Sequence, residues 1–299
     1  MSGRLLGVLA LSVWLALPAR AGDASGAFAP YEDLLSVVAE LTWHLDDDLY
    51  RFPAAKDALQ HDVFQLSLRR LQSWQKRFPS RMRDVAAFAA AGALVRLREY
   101  KAAQEFYKQV AALPNSPLGE RADGEARGLQ AFVATAALPE DAPDLEARFV
   151  ALRKKLDAWG KVVDATDRPA LHALALIEEE RLETAVAALV TAHRSALKDG
   201  PATAERALRF VIEKHAESKH LPLHVLALGD FYADLARGYV TVHDRPLVFS
   251  EDNFTQLADR ALNVYRKVAT WDGVKEKPEG QARFAALDAF KTSTIARHR

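Results

Sequence analysis

Cysteine is absent from this chain of 299 residues. Without thiols the chain cannot form a disulfide framework or a thiolate metal site, and it has no cysteine nucleophile. The lipidated cysteine that anchors many exported bacterial lipoproteins is excluded for the same reason. Stability must therefore come from buried apolar surface, which a chain of this length can supply.

An excess of charge of either sign is also lacking. The 40 Lys and Arg side chains balance the 40 Asp and Glu side chains. A nucleic-acid-binding domain normally presents a basic surface, and so does a protein attracted to an anionic membrane. We therefore expect no nucleic-acid partner, and the length allows one large domain or two smaller ones.

Long apolar runs are missing after the first residues. Arg4 precedes an apolar stretch over residues 5–17, and the A-x-A sequence of residues 19–21 follows. This stretch is shorter than the ~20 residues that span a bilayer, and the three parts together are typical of a secretory signal peptide. We predict cleavage before Gly22, a periplasmic mature protein and no integral membrane segment after cleavage. Losing Arg4 and Arg20 with the signal leaves 38 basic against 40 acidic side chains.

Catalytic and ligand-binding signatures are lacking too. None of the nine histidines forms an H-E-x-x-H or H-x-x-E-H motif, and no G-x-S-x-G, Walker A or dinucleotide-binding sequence occurs. His220 and His224 are four residues apart, but Pro222 predicts a turn between them. The three aspartates at 46–48 lack EF-hand spacing and are interpreted as a solvated acidic turn. We predict no enzyme activity and no catalytic, cofactor-binding or metal-binding residue.

The chain does contain a pattern of small and large residues at helical spacing between positions 84 and 117. It predicts one helix over 85–97 and a second over 100–113. Ala91 and Ala103 are small enough to let these two helices approach closely, with larger side chains packing around them. This arrangement resembles the tetratricopeptide repeat (TPR), a helix–turn–helix unit of about 34 residues.

Two proline-containing phrases carry the resemblance further. Arg77-Phe78-Pro79-Ser80 and Leu113-Pro114-Asn115-Ser116-Pro117 place Pro79 and Pro114 one repeat period apart. Both phrases are similar to those of tetratricopeptide proteins of the Gram-negative cell envelope. Members of that family are α-solenoid adaptors that hold proteins or extended peptides and catalyse no reaction. The resemblance covers about 59–136 and, more weakly, 203–268.

This resemblance implies an all-α fold, a TPR-like right-handed superhelix of antiparallel helical hairpins with about nine to eleven helices. Residues 138–143 contain two prolines and two acidic residues, and they are the best candidate for an internal boundary. The helices predicted outside the central repeat are approximately 31–50, 59–78, 118–136, 145–163, 170–197, 203–217, 223–236, 254–271 and 281–294.

The middle of the chain has a different apolar period. Apolar residues over 145–163 recur at alternating steps of four and three, and the next predicted helix pairs with this one as a hairpin longer than the repeat hairpins. The Arg-Lys-Lys triplet at 153–155 and the Glu-Glu-Glu triplet at 178–180 look like opposed binding patches. Charged triplets more often form solvated helix faces, which is the interpretation that we favour.

The predicted organisation has four parts. A cleaved signal peptide (1–21) precedes N-terminal TPR-like repeats (22–140), a long helical hairpin (141–200) and C-terminal TPR-like repeats (201–299). Within the last part, residues 237–252 are predicted as an inserted loop that is longer than a repeat hairpin needs. Its apolar side chains should fold back onto the solenoid or be covered by a partner.

In the resembled repeat, the first helix of each hairpin lines the concave face of the superhelix. The partner-binding candidates are Phe88, Arg96, Leu226, Asp230, Asp234, His243 and Arg245. Phe88 and Leu226 are equally compatible with ordinary core packing. The predicted function is a non-catalytic scaffold or adaptor that binds a protein or peptide partner in the bacterial cell envelope. The alternatives are a structural subunit of an outer-membrane biogenesis, division or motility assembly and, less favoured, a periplasmic enzyme acting on the cell wall.

Overall fold

A computed structural model describes residues 30–47, 50, 60–243, 245 and 248–298, and the predicted signal peptide lies outside them. Over these residues the fold is all-α, as predicted, and contains no β-strand. No described helix combines the length and the apolar character needed to cross a membrane. The helices are α1 (Pro30–Asp47), α2 (Gln60–Arg77), α3 (Arg83–Arg96), α4 (Tyr100–Ala111), α5 (Gly119–Gly128), α6 (Gln130–Ala136), α7 (Leu145–Ala165), α8 (Pro169–Ala192), α9 (Gly200–Lys214), α10 (Leu221–His243), α11 (Glu251–Ala269) and α12 (Lys277–His298), with a 3-10 turn at Arg194–Ala196.

Local chemistry explains where several helices begin. Asp144 precedes α7, and its carboxylate accepts a hydrogen bond from the Ala147 backbone N–H at 2.8 Å. Pro169 occupies the first position of α8, where its missing N–H costs nothing. Asp199 precedes α9 with φ at 51°, a left-handed conformation that aspartate tolerates better than most residues.

Two of the predicted extents are wrong. Residues 118–136 form two helices, α5 and α6, rather than one. The predicted loop at 237–252 is largely helical, because α10 continues to His243 and α11 begins at Glu251. Ala236 and Val240 are buried against Phe254 of α11, so apolar packing extends α10 beyond the predicted end. The connection between α10 and α11 is therefore short.

Helices that are close in sequence are also close in space. Packed pairs follow the chain through α1–α2–α3–α4–α5 and through α6–α7–α8–α9–α10–α11–α12, with α4 also contacting α6. The apolar core is divided accordingly into linked clusters. α8 joins two of them, since Leu174 and Leu182 pack with α3–α7 while Ala187 and Val190 pack with α9–α12. α8 is thus the central helix of the described stack.

The small residues of the central repeat lie inside the core. Ala91 and Ala103 have no exposed surface and belong to the same apolar cluster. They lie on α3 and α4, which pack directly on one another. Neither site has solvent into which a larger side chain could extend.

Candidate functional site

An open groove lies over α8, between α7 and α9. Its cavity has a volume of about 560 Å³. Phe149 and Leu156 from α7, Val186 from α8 and Ala207 from α9 contribute to its apolar lining. A cavity of this size matches the range in which proteins bind small ligands or several side chains of a partner.

The groove exists because α8 packs with α7 on one side and with α9 on the other. The lining positions on α8, from Glu183 to Val190, follow one another at helical spacing and so form one face of that helix. Two of the lining residues, Ala187 and Ala207, carry only a methyl group. Larger side chains at these positions would fill the space between the three helices.

The two rims of the groove expose large apolar side chains. Val150 on α7 is 63% exposed and Phe210 on α9 is 52% exposed. Both side chains line the cavity. Single exposed apolar residues are common, but these two border the same apolar groove and add to its exposed apolar surface.

The α7 rim is also basic. A second depression of about 440 Å³ shares Val150, Arg153 and Asp157 with the groove and extends along α7 to Lys161. Arg153, Lys154 and Lys161 are exposed, and within the described part of the chain their charged groups make no ion pair or hydrogen bond. Asp157 is the one acidic side chain among these rim positions.

α8 also carries a buried polar network that sequence reasoning missed, and Glu183 of this network lines the groove. The prediction that 178–180 form a solvated face is wrong, because all three glutamates are buried. Glu178 is bound by Arg98, by the Tyr100 hydroxyl at 2.7 Å and by Arg181 at 3.0 Å. These contacts connect α8 to the turn before α4. The matching prediction for 153–155 is also wrong at Lys155, which is buried and donates to two backbone carbonyls at the end of α6.

The next turns of α8 bind histidines. Glu180 accepts from His224 at 2.6 Å and from His220 at 3.2 Å. Glu183 accepts from His215 at 2.6 Å. The predicted turn at Pro222 does not separate His220 from His224 in space, since both reach the same carboxylate.

Two further groups complete the network around Glu183. Lys214 donates to Glu183 at 2.6 Å and lies 2.9 Å from Glu179. On the other side of the imidazole, the Tyr50 hydroxyl lies 2.6 Å from Nδ1 of His215. The network therefore connects α8 with α9, with the start of α10 and with the segment between α1 and α2.

Hydrogen bonding keeps these carboxylates ionised. Burial by itself raises the pKa of Glu180, but hydrogen bonds from His220, His224 and Ser218 outweigh it and lower the pKa to about 2. The pKa of Glu183 is likewise lowered, because His215 and Lys214 outweigh its burial. Burial and then the negative charge of Glu180 raise the pKa of Tyr50, so its phenol stays neutral.

The Tyr–His–Glu arrangement is chemically a proton-transfer chain, but its position favours a structural role. His215 is 1% exposed, and both carboxylate oxygens of Glu183 are already bonded. A general base must reach a proton of its substrate, and this imidazole is enclosed by its own partners. Among the described residues, no three His, Asp or Glu side chains are arranged to hold a metal ion.

The predicted partner-binding residues on α3 are engaged within the chain. Phe88 is half-buried and packs edge-to-face on Tyr107 at 5.1 Å, with Arg121 over its ring. Arg96 donates a hydrogen bond to the Leu45 backbone carbonyl at 3.1 Å, which joins α3 to α1. Neither side chain lies at the groove over α8.

The candidates on α10 differ from one another. Leu226 is 2% exposed and lies in the core, which agrees with the core-packing alternative for this residue rather than with a place on a binding surface. Asp230 accepts from the Tyr265 hydroxyl at 2.7 Å and pairs with Arg283, which ties α10 to α11 and α12. Asp234 is exposed and has only an ion pair within its own helix.

The last two candidates come from the segment predicted as a loop. His243 ends α10 and stacks on Tyr239 at 4.3 Å, whereas Arg245 is exposed. Phe249 stacks on His298 at 3.9 Å, so this part of the connection folds back onto the helices. None of the seven predicted residues lines the groove over α8.

One sequence signal could have indicated the groove. Val150 lies one position beyond the apolar seam of α7, and Phe210 lies outside the buried stripe formed on α9 by Ala204, Leu208 and Val211. A large apolar residue on the polar side of an amphipathic helix is a candidate contact residue.

Comparison of the chain with protein-family models and with curated protein sequences finds no match in either set.

Proposed function

We propose that this chain is an exported, non-catalytic, TPR-like scaffold that binds a protein partner in the groove between α7 and α9. The single observation that carries the proposal is the open apolar groove, bordered by the exposed side chains of Val150 and Phe210. Exposed apolar area of this kind is unfavourable in water and becomes favourable when a partner covers it.

Two further observations support a scaffold. The helices pack chiefly with their sequence neighbours, as expected for a protein built from stacked hairpins. The most polar region of the interior, around Glu180 and Glu183, uses its hydrogen-bonding groups to join helices. A rigid α8 is what a groove built on that helix requires, because a preorganised surface loses less entropy on binding.

The proposed location is the periplasm of a Gram-negative bacterium. Its support is the leader sequence at residues 1–21 and the likeness of two helix-ending phrases to envelope tetratricopeptide proteins. The partner is accordingly proposed to be an envelope protein.

Site-specific photo-crosslinking tests the groove. A photoreactive phenylalanine analogue is placed at Val150 or Phe210 in the full chain, and cells are irradiated before fractionation. We expect a discrete adduct with a second protein from both positions, because both side chains border the groove.

The same analogue at Lys101 or Lys267 is the matched control, since these residues are exposed on α4 and α11 and do not line the groove. Absence of adducts from both groove positions, or equal adducts from groove and control positions, would contradict the proposed function.

A further inference from the structure

We infer that the occupant of the groove is an amphipathic helix of a partner protein, with an apolar stripe flanked by acidic side chains. This inference rests on the proposed function and specifies its partner. The backbone chemistry of the groove, the length of the groove and the charges on its rim each support this occupant.

The backbone chemistry favours a helical occupant. The groove is formed entirely by α7, α8 and α9, whose interior backbone N–H and C=O groups are already paired within each helix. An extended peptide that binds by strand addition pairs its main chain with a free strand edge, which this surface does not offer. In an apolar groove its own backbone groups would stay unpaired, at a cost comparable to a lost hydrogen bond for each group. A helix brings its backbone hydrogen bonds with it.

The length of the surface sets the length of the occupant. From Phe149 to Lys161, the residues of α7 that line the two depressions span about 18 Å at about 1.5 Å per residue. A partner helix of about 12 residues matches this span. Such a helix places three or four large side chains on one face, which suits an apolar cavity that is several side chains in size.

The charge of the rim determines the flanking residues of the partner. Arg153, Lys154 and Lys161 are exposed and without partners in the described chain, and Asp157 is the one acidic residue among the α7 positions that line the two depressions. Some exposed cations elsewhere on the helices are paired within the chain, as Arg209 is with Glu205, whereas Lys101 and Lys267 are single unpaired cations away from the groove lining. A row of unpaired cations beside an apolar groove is complementary to acidic side chains beside an apolar stripe.

The test uses designed peptides and the purified mature chain. The probe is a fluorescein-labelled helical peptide of about 18 residues with leucines at helical spacing and glutamates on both flanks. A second peptide replaces every glutamate with lysine, and a third has the composition of the first in scrambled order. Fluorescence anisotropy at low and high salt measures the affinity of each.

We expect the acidic peptide to bind at least about tenfold more tightly than the other two, with an advantage that shrinks at high salt. In the triple variant Arg153→Glu, Lys154→Glu, Lys161→Glu, the preference should reverse toward the lysine peptide. The variant Phe210→Ser should weaken the binding of the acidic peptide and of the lysine peptide by about tenfold. It removes an apolar contact of the groove and leaves the charges of the α7 rim unchanged.

A matched control carries the same change of net charge elsewhere. Lys101, Lys198 and Lys267 are exposed, unpaired in the described chain and absent from the lining of the groove. Their combined replacement by glutamate should leave the peptide preference unchanged. Thermal unfolding of every variant establishes that binding is compared between folded proteins.

The outcomes separate this inference from the proposed function. Equal affinity for the acidic and lysine peptides overturns the inference, while adducts from Val150 and Phe210 would still support a protein partner. Binding to vesicles containing anionic phospholipid, without binding to the acidic peptide, identifies a lipid surface and also overturns it. A concentration-dependent dimer that Phe210→Ser abolishes, again without peptide binding, identifies a second copy as the occupant and overturns it too.

Discussion

Replacing Glu180 with glutamine tests whether the buried network stabilises the fold through ionised carboxylates. The substitution keeps the size of the side chain and mimics its protonated form. In the wild-type protein the Glu180 side chain is 2% exposed and accepts hydrogen bonds from His224 at 2.6 Å and from His220 at 3.2 Å. The glutamine amide removes the charge and leaves at least one of these donors with a weaker acceptor.

The expected loss follows from the pKa. Lowering the pKa of Glu180 from 4.5 to about 2 means that the ionised carboxylate is favoured in the folded state. At about 1.4 kcal/mol for each pH unit, this corresponds to a free energy on the order of 3 kcal/mol. Hydrogen bonds to charged groups contribute about 1.5–3 kcal/mol, which is a similar range. We therefore expect Glu180→Gln to lower the free energy of unfolding by about 2–3 kcal/mol at neutral pH.

The pH dependence has a defined sign. Because the folded-state pKa of Glu180 lies below its unfolded value, the stabilisation is complete above about pH 4.5 and is lost as the pH falls toward about 2. The difference between wild type and variant should therefore shrink over that interval. Glutamine does not titrate, so the variant lacks the pH dependence that Glu180 itself contributes.

Urea unfolding at a series of pH values measures this difference. Far-UV circular dichroism and tryptophan fluorescence are recorded together, since coincident curves are needed to convert them into a free energy. Glu213→Gln is the control, because Glu213 is exposed and has no partner in the described chain. It should change stability by no more than about 0.5 kcal/mol. An effect of Glu180→Gln as small as that of the control, or one independent of pH, would refute the reasoning.

The remaining predictions concern packing and export. Gly229→Ala should destabilise the protein by about 1–3 kcal/mol, because the new Cβ would lie 2.5 Å from the buried ring of Tyr265. Gly238→Ala on the same helix meets no atom within 4 Å, so it should instead stabilise by about 0.5–1 kcal/mol. A raised melting temperature for Gly229→Ala, or a lowered one for Gly238→Ala, would contradict the corresponding prediction. Ala103→Leu should overpack the α3–α4 interface and lower the free energy of unfolding by about 1–3 kcal/mol. An unchanged melting temperature of this variant would contradict the close packing of the two helices. Mass spectrometry of the periplasmic protein should find Gly22 at the N-terminus, whereas a retained leader would disprove the export prediction.

The helices were predictable because their signals are local. The apolar period from 145 to 163 predicted α7, and the small residues of the central repeat correctly indicated the buried positions Ala91 and Ala103. Errors arose where packing extended or divided a helix. α10 continues past Ala236 because its last turns are buried against α11, a contact that the residues of α10 alone do not reveal.

The candidate site was much less predictable. Val150 and Phe210 belong to different helices, and the space between them appears only when α7 and α9 pack on opposite sides of α8. The partner-binding residues predicted on α3 and α10 followed the repeat pattern, which assigns faces to helices but does not measure where a cavity opens. Leu226 therefore proved to be core, while the groove is lined by α7 and α8, which the pattern does not cover, and by α9, where the resemblance is weaker.

By itself the sequence determined the all-α fold and most helix positions, because apolar spacing and capping act over a few residues. Only the tertiary structure decided which charges are buried. Glu178 is separated by 80 residues from Arg98, and Tyr50 by 165 residues from His215. Burial of these carboxylates depends on hydrogen-bond donors from distant segments of the chain. The glutamates that would form a solvated face on an isolated helix therefore form a buried polar network in the folded protein.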